Sequence, residues 1–188
     1  MKIVFATGNP HKLQELKEIA GDCDIEFILP PEGFNPVENG NTFEENSLIK
    51  AQEAAKLSKC ISLADDSGLC VDALKGLPGI HSARYDTTPQ KRIDKLLKAL
   101  ENETNRKAKF VCAMTLVNQY GKILFKAIGE CKGQIAASQK GINGFGYDPI
   151  FLPDNCNGLT MAEMSEEEKN KISHRGNALR KVLEYLKH

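Results

Sequence analysis

Apolar residues crowd the start of the chain from Ile3 to Ala6, and the run breaks off at Thr7-Gly8-Asn9-Pro10. Asn9 is a favoured helix N-cap residue and Pro10 suits the first helical position. Leu13, Leu16 and Ala20 then recur at helical spacing as far as Gly21, a natural stop. The pattern predicts strand, tight turn and helix, the opening of an α/β fold. Ile25 to Leu29 predicts a second strand, and Pro30 to Asn41, with three prolines and two glycines, predicts a loop. Thr42-Phe43-Glu44-Glu45 has capping-box spacing and opens an alanine-rich helix to about Ser58.

Farther on, Ile61 to Ala64 predicts a buried strand that ends at the turn-forming residues Asp65-Asp66-Ser67-Gly68, with a separate short strand at Leu69 to Asp72. A turn-rich region from Leu74 to Pro89 precedes a helix over Gln90 to Leu100. The β-prone runs Phe110 to Val117 and Ile123 to Cys131 flank a short polar turn and predict a hairpin. A glycine-rich loop, Gly141 to Tyr147, leads to a brief strand at Pro149 to Leu152. The tail is helical, capped by Ser165, with Glu166, Glu167 and Glu168 where negative charge suits the helix dipole. No repeat or flexible linker interrupts residues 1–188, so they read as a single α/β domain with a mixed sheet and flanking helices.

Charge narrows the possible partners. Lysine plus arginine and aspartate plus glutamate each number 25, so no global field steers the chain toward nucleic acid or a membrane. Anion binding must therefore come from local clusters. The six cysteines form no C-x-x-C pair, and reduced thiols in a cytoplasmic protein are expected. No apolar stretch approaches the length of a membrane span, and Met1 runs straight into the first strand without a signal peptide, so a soluble protein is expected.

Five segments carry possible chemistry. The turn Thr7-Gly8-Asn9-Pro10-His11-Lys12 aims helix N–H groups, a hydroxyl and an ammonium outward, which suits a phosphate but equally describes a capped helix with a solvated lysine. It lacks the Gly-Lys-Ser/Thr ending of a Walker loop. Asp65 and Asp66, at the expected end of a strand, are comfortable together only near a cation and suit magnesium, or else form an acidic turn. Glu45 is explained by the capping box or by a metal, with Asn46 and Lys50 nearby on the same helix. Gly144-Phe145-Gly146-Tyr147-Asp148 offers a flexible backbone, rings that can stack on a base and an acceptor for a base N–H, or is a turn whose rings merely pack. Lys169 to Gly176 reads as a solvated basic helix face, unless a break at Ser173 aims the His174 and Arg175 amides at a ligand.

Taken in order, these segments resemble the inosine-triphosphate pyrophosphatase family, hydrolases of non-standard purine nucleotides. The matching stretches are Thr7-Gly8-Asn9 with Lys12, Thr42-Phe43-Glu44-Glu45-Asn46 with Lys50, Ala64-Asp65-Asp66-Ser67-Gly68, Gly79-Ile80-His81-Ser82-Ala83-Arg84-Tyr85, Gly144 to Phe151, and Ser173-His174-Arg175-Gly176. Many relatives have alanine at the position of Ser47. The resemblance implies an elongated twisted mixed sheet with two lobes around a cleft, a homodimer, and Mg2+-dependent cleavage of inosine, deoxyinosine and xanthosine triphosphates to monophosphate and pyrophosphate. It implies that Thr7, Gly8, Asn9, Pro10, His11 and Lys12 bind the substrate phosphates with help from Lys50. Asp66 would accept the proton and bind metal, with Glu45 and Asp65 near that metal and Ser67 at the substrate. Phe145, Gly146, Tyr147, Asp148, Lys169, His174 and Arg175 would hold the base. Two rivals are a pyrophosphatase for modified pyrimidine nucleotides and a nucleotide-binding module without turnover. Against the second, a pure triphosphate binder has little reason to set extra negative charge beside its ligand unless metal is present.

Overall fold

Strand β1 (Lys2–Phe5) leads into helix α1 (Pro10–Ala20) in a computed structural model that describes residues 1–188. The opening follows the pattern: Asn9 is extended and its side chain accepts the His11 N–H, and Pro10 fills a first-turn position. Gly21 closes α1 at φ 56°. Strand β2 (Glu26–Ile28) and helix α2 (Phe43–Ser58) come next, and the Thr42 side chain accepts the Glu45 N–H as the capping box requires. Strand β3 (Ser62–Val71), helix α3 (Pro89–Ala99), strands β4 (Lys107–Val117), β5 (Ile123–Ile135) and β6 (Phe151–Pro153), and helices α4 (Glu166–Ile172) and α5 (His174–Leu186) complete the order.

The sheet runs β2-β1-β3-β4-β5-β6. It is mixed: β1 lies parallel to both β2 and β3, whereas β5 and β6 are antiparallel. β4 and β5 are neighbours joined across Asn118, whose N–H reaches Lys122 O at 2.9 Å, so the hairpin forms, with strands longer than expected.

Two expectations change. No turn interrupts Asp65-Asp66-Ser67-Gly68; β3 is one ten-residue strand that passes through them. Turn propensity is a local preference, and the place of β3 inside the sheet overrides it, although its pairing with β1 covers only Ser62 and Leu63. The tail does break at Ser173, which has ψ 151°, so α4 and α5 are separate helices.

The chain divides into two compact units. One comprises Met1–Asp66, Cys112–Gly129 and Arg175–His188; the other comprises Ser67–Val111 and Glu130–His174. In the first unit the central strands β1, β3 and β4 are buried on both faces, and period-two alternation sorts their side chains. Ile3, Phe5 and Leu63 pack with Leu16 of α1 and Leu179 of α5. Val4, Ala6 and Ala64 pack with Ala51, Ala54 and Ala55 of α2. The second unit has its own core, in which Leu69 and Val71 meet Leu96, Phe110, Ile135 and Phe151.

Gly133 shows how close the pairing is in that unit. It sits opposite Pro153, and a Cβ there would collide with the Leu152 carbonyl and lie 2.9 Å from the Phe151 ring. Gly133→Ala is expected to lower stability by about 1–3 kcal/mol, the usual cost of overpacking. The measurement is the urea midpoint at unchanged m-value, and an unshifted midpoint contradicts the account.

Candidate active site

Consecutive residues of a strand point to opposite faces, so Asp65 and Asp66 do not form a side-by-side pair. Asp65 shares the face of Leu63, and Asp66 that of Ala64, toward α2. Each carboxylate therefore answers to its own set of partners.

On the α2 face, the Asn46 amide donates to Asp66 Oδ2 at 3.1 Å and the Lys50 ammonium lies 3.5 Å from Oδ1. Asn46 and Lys50 sit one turn apart on α2, and the alanines beneath them let the helix approach the sheet closely. Burial pushes the Asp66 carboxyl up, and Lys50 and Lys12 oppose that only in part. Burial pulls the Lys50 ammonium down, but Asp65, Asp66 and Glu38 outweigh it and raise the group overall. Glu38, 3.0 Å from Lys50, is an acid that the sequence pattern did not single out. Glu45 is exposed; its carboxylate accepts the Asn41 N–H at 2.6 Å, one residue earlier than the capping-box reading places it. Ser47, where many relatives carry alanine, shares a buried 2.7 Å hydrogen bond with Thr115.

On the other face, Lys12 reaches Asp65 Oδ1 at 3.1 Å and Oδ2 at 3.0 Å. Arg175 donates to the same Oδ2 from Nε at 3.2 Å and from Nη2 at 3.1 Å, and its Nη1 donates to Glu15. Burial acts to raise the Asp65 carboxyl, yet Lys12 and Arg175 hold it well below the usual carboxylate range. Asp65 is thus an ionised anchor whose two oxygens both serve cations. Arg175, expected at the base, is 1% exposed and belongs with Asp65 and Glu15. Its motif, Ser-His-Arg-Gly, gave no hint of the direction in which the guanidinium points. Glu15, another residue missed, stands between the apolar Leu13 and Leu16 and is itself buried. Nearby, Thr7 is buried with its hydroxyl accepting the Asn9 N–H at 3.0 Å, whereas Gly8, Pro10 and His11 are exposed.

The remaining expected residues lie in the second unit, apart from the boundary residue Arg175. Asp148 is 3% exposed, and its Oδ2 accepts the Phe145 N–H at 2.9 Å and the Lys169 ammonium at 2.8 Å. Gly144, at φ 71°, has no room for a Cβ because Asp148 Oδ2 occupies that space. Lys169 also sits 4.7 Å from the centre of the Phe145 ring. His174 stacks on Phe110 at 4.7 Å and 12°. Tyr147 turns inward and donates to Ser82 O at 2.9 Å, while the Ser82 hydroxyl accepts the Leu69 N–H. Tyr147 therefore ties the loop to the Gly79-to-Tyr85 segment, and Phe145, the less buried ring, is the one available for stacking. Ser67, half-buried, lies on β3 next to Asp66.

The first unit thus presents lysines and a carboxylate of raised pKa, chemistry suited to a phosphate ester or anhydride. The second presents a ring, an ammonium and an oriented carboxylate, chemistry suited to a heteroaromatic base. Known proteins resemble the chain over almost its whole length. The Ham1 family model matches residues 3–185. The dITP/XTP pyrophosphatase of Prochlorococcus marinus (strain NATL1A) is 46% identical over 185 residues, covering 98% of this chain and 93% of its own. That of Aquifex aeolicus (strain VF5) is 45% identical and covers 100% of this chain and 97% of its own. Among solved structures, a HAM1 protein from Coxiella burnetii superposes with a TM-score of 0.89 at 41% identity, covering 100% of this chain and 98% of its own. With the fold, the ordered segments and the full-length identity in agreement, this chain belongs to the Ham1 family.

Proposed function

We propose that this chain is a nucleoside-triphosphate pyrophosphatase that hydrolyses inosine, deoxyinosine and xanthosine triphosphates to monophosphate and pyrophosphate, clearing them from the nucleotide pool. The observation that carries the reading is Asp66: a buried carboxylate of raised pKa, held between an amide and a lysine, in a chain closely similar to proteins named dITP/XTP pyrophosphatases. Asp66 Oδ1 accepts a proton from water as the water oxygen attacks the α-phosphorus, and the α–β bridging oxygen leaves with the pyrophosphate. A carboxylate whose affinity for protons is raised is better suited to that task at neutral pH. Lys12, Lys50 and the N–H groups of the Thr7-to-Lys12 turn offset the charge that accumulates on the departing pyrophosphate. Lys12 reaches the phosphates from its resting place on Asp65, and Arg175 keeps Asp65 in place when the lysine swings away.

A magnesium ion fits these residues, because it takes one or two carboxylates and completes its shell with water and substrate phosphates. Asp66 and the exposed Glu45 would hold it, and it would supply Lewis-acid polarisation of the phosphate oxygens. Asp65, fully engaged with Lys12 and Arg175, is assigned to positioning instead. Phe145 stacks on the base, and Lys169 and His174 supply donors for the 6-oxygen that inosine and xanthosine carry where adenine has an amine. We place the enzyme in the cytoplasm as a homodimer. Its six free cysteines suit a reducing compartment, and no helix is long and apolar enough to cross a membrane. The dimer follows from the family resemblance.

Asp66→Asn is expected to lower turnover about 10²–10⁴-fold, the usual worth of a positioned base, with far-ultraviolet circular dichroism unchanged. Pyrophosphate release from inosine triphosphate is the measurement, and activity within a few-fold of wild type removes Asp66 from the reaction. Lys12→Ala is expected to raise KM, with a deficit that shrinks as added salt screens the lysine in the wild type. An unchanged KM returns the first turn to a purely structural role. Arg175→Ala leaves Asp65 and Glu15 buried without their shared cation and is expected to cost about 3–5 kcal/mol of stability. Selective loss of inosine triphosphate turnover at undiminished stability would instead put Arg175 back at the base.

A further inference from the structure

The proline-rich segment before α2 is tied to the helix at three successive points. Glu38 lies 3.0 Å from the Lys50 ammonium, the Gly40 N–H donates to Asn46 Oδ1 at 2.9 Å, and the Asn41 N–H donates to Glu45 at 2.6 Å. Phe34 fixes the rest of the segment by packing against the alanine core under α2. Two of the three ties end on the groups that hold Asp66. Asn46, 1% exposed, is the amide on its Oδ2, and Lys50 is the ammonium nearest its Oδ1.

The Gly40 N–H can only face an acceptor, so it fixes which end of the Asn46 amide points each way. Oδ1 must face the loop, and the two Nδ2 hydrogens are left on the side of β3, where one meets Asp66. Without Gly40 the amide would be free to turn over and present an oxygen to the carboxylate. The approach also depends on glycine, because a Cβ at position 40 would stand 2.7 Å from Asn46 Oδ1 and 2.7 Å from Glu45 Cβ. With Oδ2 committed to Asn46, Oδ1 is the oxygen turned toward Lys50.

We propose that Asn46 is a positioning residue for the reaction, and that the Glu38-to-Asn41 segment sets the orientation of Asp66 by holding Asn46 and Lys50. The inference rests on the role of Asp66 proposed above. Misplacing a reacting group by about an ångström costs on the order of a hundredfold, so a loosened carboxylate is felt in turnover rather than in nucleotide binding.

The test compares Asn46→Ala, Gly40→Ala and Ser47→Ala by steady-state hydrolysis of inosine triphosphate and by thermal unfolding. Ser47 neighbours Asn46 on α2 and makes its own buried hydrogen bond to Thr115 and none to Asp66, so it reports the cost of destabilising the same helix. Asn46→Ala is expected to lower kcat about tenfold or more while KM stays within about threefold. Gly40→Ala, which keeps both residues but sets a Cβ against Asn46 Oδ1, is expected to shift kcat in the same direction by a smaller factor. Ser47→Ala is expected to lower the unfolding temperature while kcat stays near wild type. The proposal is overturned if Asn46→Ala and Gly40→Ala both turn over within twofold of wild type. It is overturned equally if their deficit lies in KM, or if Ser47→Ala loses as much kcat at comparable destabilisation. Should Asn46→Ala not fold, Gly40→Ala against Ser47→Ala decides by the same criteria. Asp66→Asn, run alongside, separates the two levels: full activity there refutes the base itself, whereas its inactivity beside normal Asn46 and Gly40 variants refutes only the positioning.

Discussion

A strand turns successive side chains to opposite faces, and β3 applies that rule to two carboxylates in the middle of a sheet. Two adjacent buried acids on one surface would repel strongly and would need a shared cation at all times. Turned to opposite faces, Asp65 and Asp66 have different hydrogen-bond partners and sit in different states, although Lys12 and Lys50 act on both through space. Asp65 is surrounded by Lys12 and Arg175 and stays ionised, whereas Asp66 has a weaker set of partners and a raised pKa. Helices α1 and α5 serve the first acid and α2 serves the second. Both faces of β1 and β3 must therefore be covered, and the two apolar cores of the first unit meet that requirement.

The second unit obeys a related constraint by a different route. Its acid, Asp148, lies in a loop rather than a strand, so the backbone has to be held from several directions. The Phe145 N–H and the Lys169 ammonium hold the carboxylate, and Tyr147 anchors the loop through Ser82. Ser82 in turn receives the Leu69 N–H of β3, so the Gly79-to-Tyr85 segment acts as a brace for the base-type residues. In both units the reactive-type side chain is buried and held by hydrogen bonds from its neighbours.

Local chemistry made much of this legible in the sequence. Asn9, Thr42 and Ser165 cap helices as their hydroxyl or amide groups allow, and Gly21 ends α1. Ser173, a cap residue inside an otherwise continuous helical pattern, left the break open as an alternative without deciding it. The family resemblance named candidate residues but not the directions of their side chains. Asp65-Asp66-Ser67-Gly68 looks like a turn to any rule that weighs four residues at a time, and only its place within a sheet strand, a tertiary matter, makes it extended. Arg175 and Glu15 meet across 160 positions of sequence, a separation at which periodicity carries no signal. Glu38 was hidden for a related reason, since a proline-rich loop has no period from which the direction of a side chain can be read.

The alanines of α2 have a consequence of their own. Ala51, Ala54 and Ala55 are fully buried against Val4, Ala6 and Ala64, so at those three positions the helix offers the sheet only methyl groups. Asparagine has a short side chain, and the 3.1 Å reach from Asn46 to Asp66 exists only at that spacing. The alanine face works as a gauge block, setting the gap between two layers to the length of one amide. A leucine in that stripe would satisfy every rule of hydrophobic patterning and still lift the helix off its mark.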